Sequence, residues 1–378
     1  MPASKRMKIG IVAGLVAAGL LVAAGAAAWV GRRPLLTWYD MNGLEKAGDA
    51  DRALWTDRVA GLGEDAEPAV FACLKRADDA ACRNAGAVLE RWAVQRRGDG
   101  RAAALAGRMT QVFGDCSAAG RNAILTAAAA WFRPDSPKPT DALVSSCARL
   151  ISQAAEAPDA AAHESALSLS AAALDVVKDS RELPLAARAL VRKSLHDDSA
   201  ATRQRAVQLA VRPDIDAADA AAELLHDPAP EVRRAAVLAV GPEDEKTLPA
   251  KSLLPALHDA DPAVRKACEE VLRKDRRLSP LCFKIGWCLC HPDPGQRLNV
   301  LDYLQRGAEV EPGVWLRELS HDDSPAVRLA AARVMSQQDV VDLSDRLEQM
   351  ADGDPSPTVC QIARLYEKWS KAEHDGLR

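Results

Sequence analysis

The sequence predicts an all-α solenoid, and three observations predict it. An arginine-centred segment recurs with a nearly constant step, each copy opens on a helix start signal, and the apolar residues that follow fall three and four apart. Aligned on the arginine, the copies place Arg203, Arg233, Arg265, Arg297 and Arg328 in one slot, with Cys360 taking it in a last copy, at steps of 30, 32, 32, 31 and 32 residues. A fixed period of this size marks a stack of units that bury their apolar faces only against neighbours.

From the N-terminus, residues 1–8 form a basic tail holding Lys5, Arg6 and Lys8, and residues 9–30 carry no charge before Gly31-Arg32-Arg33. At about 1.5 Å per residue, a helix of that run would cross the roughly 30 Å of bilayer hydrocarbon. The sequence therefore predicts a transmembrane helix over 9–30. Ala24-Gly25-Ala26 resembles a cleavage site, but the run exceeds the usual apolar core of a signal peptide, about 7 to 15 residues. Trp29, Trp38 and Tyr39 would mark the far interface, although packing in the first repeat accounts for Trp38 and Tyr39 as well. Three cationic side chains precede the run and two follow it, so the positive-inside rule predicts a single-pass protein with a cytoplasmic N-terminus and an extracytoplasmic repeat domain.

Over 40–183 the beat is slower. Asp79-Ala-Ala-Cys-Arg83 and Ser117-Ala-Ala-Gly-Arg121 repeat at a step of 38, and a further copy runs over 159–166. The proline cluster of 133–140 cannot be helical and predicts an inserted loop. Trp55, Trp92 and Trp131 recur at steps of 37 and 39. They either fill gaps between helices or line a groove that takes a partner's apolar side chains, and they are the candidate partner-binding residues. Gly61-Leu-Gly63-Glu-Asp-Ala66 fits a loose dinucleotide pattern, yet it follows a helical run and sets two acids where phosphate would lie, so it reads as a turn.

Over 184–372 the copies are regular. Four residues before the arginine stands Ser199, Asp261, Ser324 or Ser356, each able to accept from the free amides of a first helical turn. Pro230, Pro262, Pro325 and Pro357 occupy the first helical position, where the missing N–H is no loss. Val232, Ala235, Ala236, Ala239 and Val240 make one apolar stripe. A second apolar run precedes each turn, at 221–225, 253–257 and 314–319, giving two short helices per unit.

The segment Asp227-Pro-Ala-Pro-Glu-Val-Arg233-Arg-Ala-Ala236 resembles the HEAT-repeat family in its short form, the phycobilin lyase-like repeats. The resemblance covers about 184–370 and is weaker over 50–183. It implies a right-handed α-α solenoid with an inter-repeat ladder of turn aspartates (Asp197, Asp227, Asp259, Asp322, Asp354) and repeat arginines (Arg203, Arg233, Arg265, Arg297, Arg328). These residues are structural, so the resemblance transfers no catalytic role.

One unit departs from the pattern, 279–291. Its turn from His291 to Arg297 reads as one residue short, with Pro292 in place of the ladder aspartate. His196, His226, His258, His291 and His321 recur seven residues before the arginine, His291 at six. Helices about 8 to 10 Å apart would hold successive histidines too far from one another to share a metal ion, so each is assigned to the end of a first helix. Cys282, Cys288, Cys290 and His291 lie within ten residues, but 288 and 290 point some 200° apart on a helix, which disfavours zinc. Nine cysteines show no disulfide framework; Cys73 with Cys82, or Cys116 with Cys147, are the conceivable bridges. The lone His163-Glu164 pair lacks the companions a di-iron hydroxylase of this architecture needs.

Residues 1–33 hold five of the 49 lysines and arginines and none of the 53 acids, leaving the rest of the chain near −9. That balance disfavours nucleic acid and the HEAT-like DNA glycosylases. The sequence thus predicts a membrane-anchored, non-catalytic scaffold for a protein partner, with neither cofactor nor metal. The reading from another class is a cofactor-handling, lyase-like enzyme on the same repeats.

Overall fold

The computed structural model of the chain describes residues 33–98, 100–240, 250–274, 279–306, 311–337 and 342–376, and every helical element in it is an α-helix or a short 3-10 turn. Start signals set the elements. Asp78 accepts from the Ala80 and Ala81 amides, both at 3.0 Å, to open Asp79–Gln95. Ser117 caps Ala118–Ala129 and Thr140 caps Asp141–Glu156. Asp261 accepts from the Ala263 and Val264 amides at 2.7 and 3.3 Å, and prolines begin seven helices from Pro230 onward. Ser324 makes no cap bond. Asp322 holds that turn instead, its Oδ1 accepting from the Ser324 amide at 2.8 Å.

The chain forms two compact units, up to Ala217 and from Ala218. In the first, alternate helices stack in two layers. Arg52–Gly61, Asp79–Gln95, Ala118–Ala129, Ala160–Val176 and Ala200–Ala210 follow one another in one layer, and Gly100–Val112, Asp141–Glu156 and Glu182–Ser194 in the other. Alanine is abundant on these faces, which lets helices approach closely, and the wider gaps take Trp92, Phe113 and Trp131, all fully buried. Residues 133–140 are a loop, as their prolines require.

In the second unit the first helix of a pair is reduced in places to a single turn closed by 3-10 geometry, as in Glu223–His226 and Leu254–His258. Second helices are longer: Pro230–Ala239, Pro262–Lys274, Pro294–Arg306, Pro325–Met335 and Pro357–Gly376. Among the described residues, neighbouring second helices pack against one another, most sparsely at Pro262–Lys274 beside Pro294–Arg306. The apolar interior divides at the same place. One cluster holds Leu254, Val264, Cys268 and Leu272, and another holds Ile285, Val300, Leu316, Val327 and Leu347.

The expected fold class is corrected in one respect. Among the described residues no helix is long and apolar enough to cross a membrane, because caps and turns interrupt the chain every few turns and outer faces are charged. The basic tail at 1–8 and the helix expected at 9–30 lie outside the described residues. The transmembrane helix, the single-pass placement with an extracytoplasmic repeat domain and the contact with membrane through 9–30 are thus without support in the described structure.

Candidate functional site

The described structure turns the ladder into a geometric standard. Arg233 sends its Nη1 to the carbonyls of Asp227 and Pro228 in its own turn, at 2.8 and 3.1 Å, while Nε and Nη2 hold the Asp259 carboxylate of the next turn at 2.7 and 2.8 Å. Arg297 repeats this on Asp322 at 2.6 and 2.8 Å, and Arg328 on Asp354 at 2.8 Å twice. Each carboxylate also accepts the amide two residues on, at 2.8 Å for Asp259, Asp322 and Asp354. The Arg233 guanidinium holds the Asp259 carboxyl below the usual carboxylate range.

In the first unit the slot is filled more freely. Arg121 pairs with Asp159 and bonds the Cys116 carbonyl at 2.6 Å. His163 takes the position next along, with Nδ1 2.7 Å from the Asp197 carboxylate and Nε2 3.0 Å from the Ala157 carbonyl. Arg203 bonds the carbonyls of Asp197 and Asp198. Asp78, not Asp79, is the cap of its copy, so the slot there belongs to Cys82 and Arg83 lies outside it, exposed. The Cys82 thiol lies 3.4 Å from the Arg76 carbonyl six residues back. Cys360 does the same on Asp354 at 3.1 Å.

The rung at Arg265 is different. Its Nη1 bonds the carbonyls of Asp259 and Ala260 at 2.7 and 3.0 Å, as the standard requires, but among the described residues it pairs with no carboxylate. The residue in the facing aspartate slot is His291. Arg297 reaches back to the His291 and Pro292 carbonyls as Arg233 does to Asp227 and Pro228, and the His291 ring accepts the Asp293 amide at 3.0 Å, the bond an aspartate makes elsewhere. The turn is therefore of ordinary length, and His291, not Pro292, replaces the ladder acid. Accepting that bond occupies the Nδ1 lone pair, so the ring proton sits on Nε2 and the ring offers Arg265 no negative charge.

His291 in that slot also meets His258. Their ring centroids are 4.9 Å apart, and Trp287 closes the triangle at 5.1 and 5.0 Å. The separation expected between successive histidines is corrected here, because one of the two comes from the aspartate slot. His258 bonds the Trp287 carbonyl at 2.8 Å, and burial, aided by the neighbouring His291, pushes its pKa down.

Beside this rung a cleft of about 670 Å³ opens between the second helices Pro262–Lys274 and Pro294–Arg306. Arg265, Glu269 and Arg273 line one wall, Gln296, Asn299 and Tyr303 the other, with Phe283, Lys284 and Trp287 between them. Trp287 is 38 % exposed. Arg273 sits 5.4 Å over the Phe283 ring and holds Glu269 at 2.6 and 2.9 Å. The lining thus carries three cations against one acid that is already paired. A second cavity, about 620 Å³ beside Trp38 and Met41 in the first unit, has its charges joined in the pairs Arg33–Asp65 and Arg76–Glu45.

Of the two readings of the recurring tryptophans, gap-filling describes Trp92 and Trp131. Trp92 and Trp131 are 1 % and 2 % exposed and fill the core, the Trp92 ring nitrogen donating to the Ala60 carbonyl at 3.0 Å. Trp55 is half-buried, edge-on to Tyr39 and under Arg58. Among the described residues no cysteine is in a disulfide. Burial pushes Cys73 and Cys268 up to about 12 and Cys116 to about 11. Among the described residues no three His, Cys, Asp or Glu side chains come together to hold a metal, the segment around Cys282, Cys288, Cys290 and His291 included.

No protein-family model matches the chain and no curated protein does. A crystal structure of importin beta matches over 87 % of this chain at 14 % identity and a TM-score of 0.46, this chain spanning half the length of that one, a likeness too loose to carry an argument.

Proposed function

We propose that the chain is a non-catalytic scaffold of short, HEAT-like helical repeats that holds a protein partner in the cleft of its second unit. The longer repeats of 40–183 and the regular ones of 184–372 would be two zones of one frame. The observation that carries this reading is the coincidence at Arg265. Where the ladder lacks its acid, the second helices make their sparsest contact and leave a cleft between them, and at that place guanidinium, ammonium and indole groups are exposed together. Such groups recognise a protein segment, the aromatic ones supplying anchoring area and the cations register.

The test is a photo-cross-linking residue at position 287 of the full-length chain, with one at the exposed position 238 as control. One protein captured in stoichiometric amount at 287 and not at 238 is the expected result. Equal background at both positions would overturn the reading, and a chromophore co-purifying one to one with the chain would support the lyase-like alternative instead.

A further inference from the structure

We propose that the partner completes the ladder: an aspartate or glutamate side chain of a bound peptide segment takes the place of the acid that His291 displaces and pairs with Arg265. The inference rests on the scaffold reading above and names its recognition chemistry.

Three intact rungs show what an arginine in this slot takes. Its Nη1 is committed to two carbonyls of its own turn, and the remaining Nε and Nη2 edge receives one carboxylate in a two-point contact at 2.6 to 2.8 Å. Arg265 has the same commitment on Nη1, so the same edge remains for a carboxylate from elsewhere. A guanidinium edge matches a planar carboxylate better than any other side chain.

The surroundings favour the same occupant. Lys284 and Arg265 are exposed on a cleft whose single acid, Glu269, is neutralised by Arg273, so an incoming negative charge meets net positive potential on an otherwise acidic chain. Trp287, Phe283 and Tyr303 lie within the same lining and would seat an apolar side chain adjoining the acid. His291 keeps the rung open from within. An aspartate there would be the chain's own ligand for Arg265, at the correct six-residue offset from Arg297.

The experiment is phage display of random dodecapeptides panned against the full-length chain, with the selected peptides then measured by fluorescence anisotropy on the chain and on three variants. The expected result is enrichment of peptides carrying Asp or Glu beside an apolar residue. Changing that acid to its amide should weaken binding about tenfold or more, the scale of one charge-assisted pair. Arg265→Gln should do the same. His291→Asp is the sharper variant, since it supplies the missing acid, and it should abolish binding, whereas His291→Asn, which removes the same ring without adding a charge, should keep it. Enriched peptides that lack acids and bind His291→Asp as well as the parent chain would overturn the carboxylate inference while leaving the scaffold reading standing. Failure of any peptide to enrich would overturn both.

Discussion

Arg328 and Arg265 occupy the same repeat slot and make the same two bonds to their own turn carbonyls, so replacing each by leucine isolates what the carboxylate contributes. In Arg328→Leu the Asp354 carboxylate, whose side chain is 3 % exposed, loses both guanidinium contacts and keeps only the Ser356 amide. Removing one partner from a buried pair costs about 3 to 5 kcal/mol, because the remaining charge is stranded. In Arg265→Leu no carboxylate is stranded. The two carbonyls released lie at the surface, where water replaces the bonds, so the cost is about 1 kcal/mol or less. The expected difference is roughly 2 to 4 kcal/mol between chemically identical substitutions in one slot. Urea unfolding followed by circular dichroism reads it as a shift in midpoint at constant slope in the phase belonging to the second unit. A double variant with Asp354→Leu should recover much of the Arg328→Leu loss, since a well-packed apolar pair replaces a buried ionic one at little net cost. Equal losses at 328 and 265 would refute the reasoning, for they would mean that the turn carbonyls, and not the inter-repeat carboxylate, are what the arginines hold.

Asp261→Ala should cost about 1 kcal/mol in the same assay and Ser324→Ala much less, since only the former side chain accepts first-turn amides; equal costs would misplace the caps. Gly120→Ala should destabilise the first unit by about 3 kcal/mol, because an added Cβ would fall 2.0 Å from the Leu74 carbonyl oxygen, and a neutral substitution would contradict that close approach. His258 is held below its ordinary pKa by burial, so the folded chain refuses a proton that the unfolded chain binds. Stability should therefore fall as pH drops through about 6.5, and less so in His258→Asn, with unfolding midpoints at pH 7.5 and 5.5 deciding. Maleimide at neutral pH should modify the partly exposed Cys282 on the folded chain and spare Cys73, Cys116, Cys147 and Cys268 until the chain is denatured, which mass spectrometry after digestion would show.

Much of the fold is legible in the sequence because a repeat states its own rules several times over. The arginine slot, the proline at the first helical position and the cap at Asp261 each follow from local chemistry, and local chemistry is what spacing reports. Which of the two readings of Trp55, Trp92 and Trp131 holds is not legible, for the complementary reason. A step of 37 or 39 residues places a side chain at the same point of successive units, but whether that point faces a neighbour or solvent depends on how closely alanine-rich helices approach. That is decided by packing across units, which no single stripe encodes.

The candidate site lies between these cases. Residue type groups His291 with His196, His226, His258 and His321, as if five histidines shared one role and one turn had lost a residue. Offset groups it differently. Asp197, Asp227, Asp259, Asp322 and Asp354 all stand six residues before the repeat slot, and so does His291; Cys290 then takes the position the other histidines hold. Offset is the physical signal, because the turn carbonyl at that position is the one the arginine bonds, whatever side chain stands above it. Counting from the arginine thus finds the uncharged rung in the sequence alone. What counting cannot supply is the cleft that lies there between Pro262–Lys274 and Pro294–Arg306. A rung contributes only two bonds to the contact of two helices, and bulk enters here as well: the rings of His258, Trp287 and His291 meet tilted or edge-on where the other rungs set one small carboxylate. The residue that leaves the acid out is the same one that brings a ring in, so the guanidinium without a carboxylate and the ring cluster beside the cleft share one position.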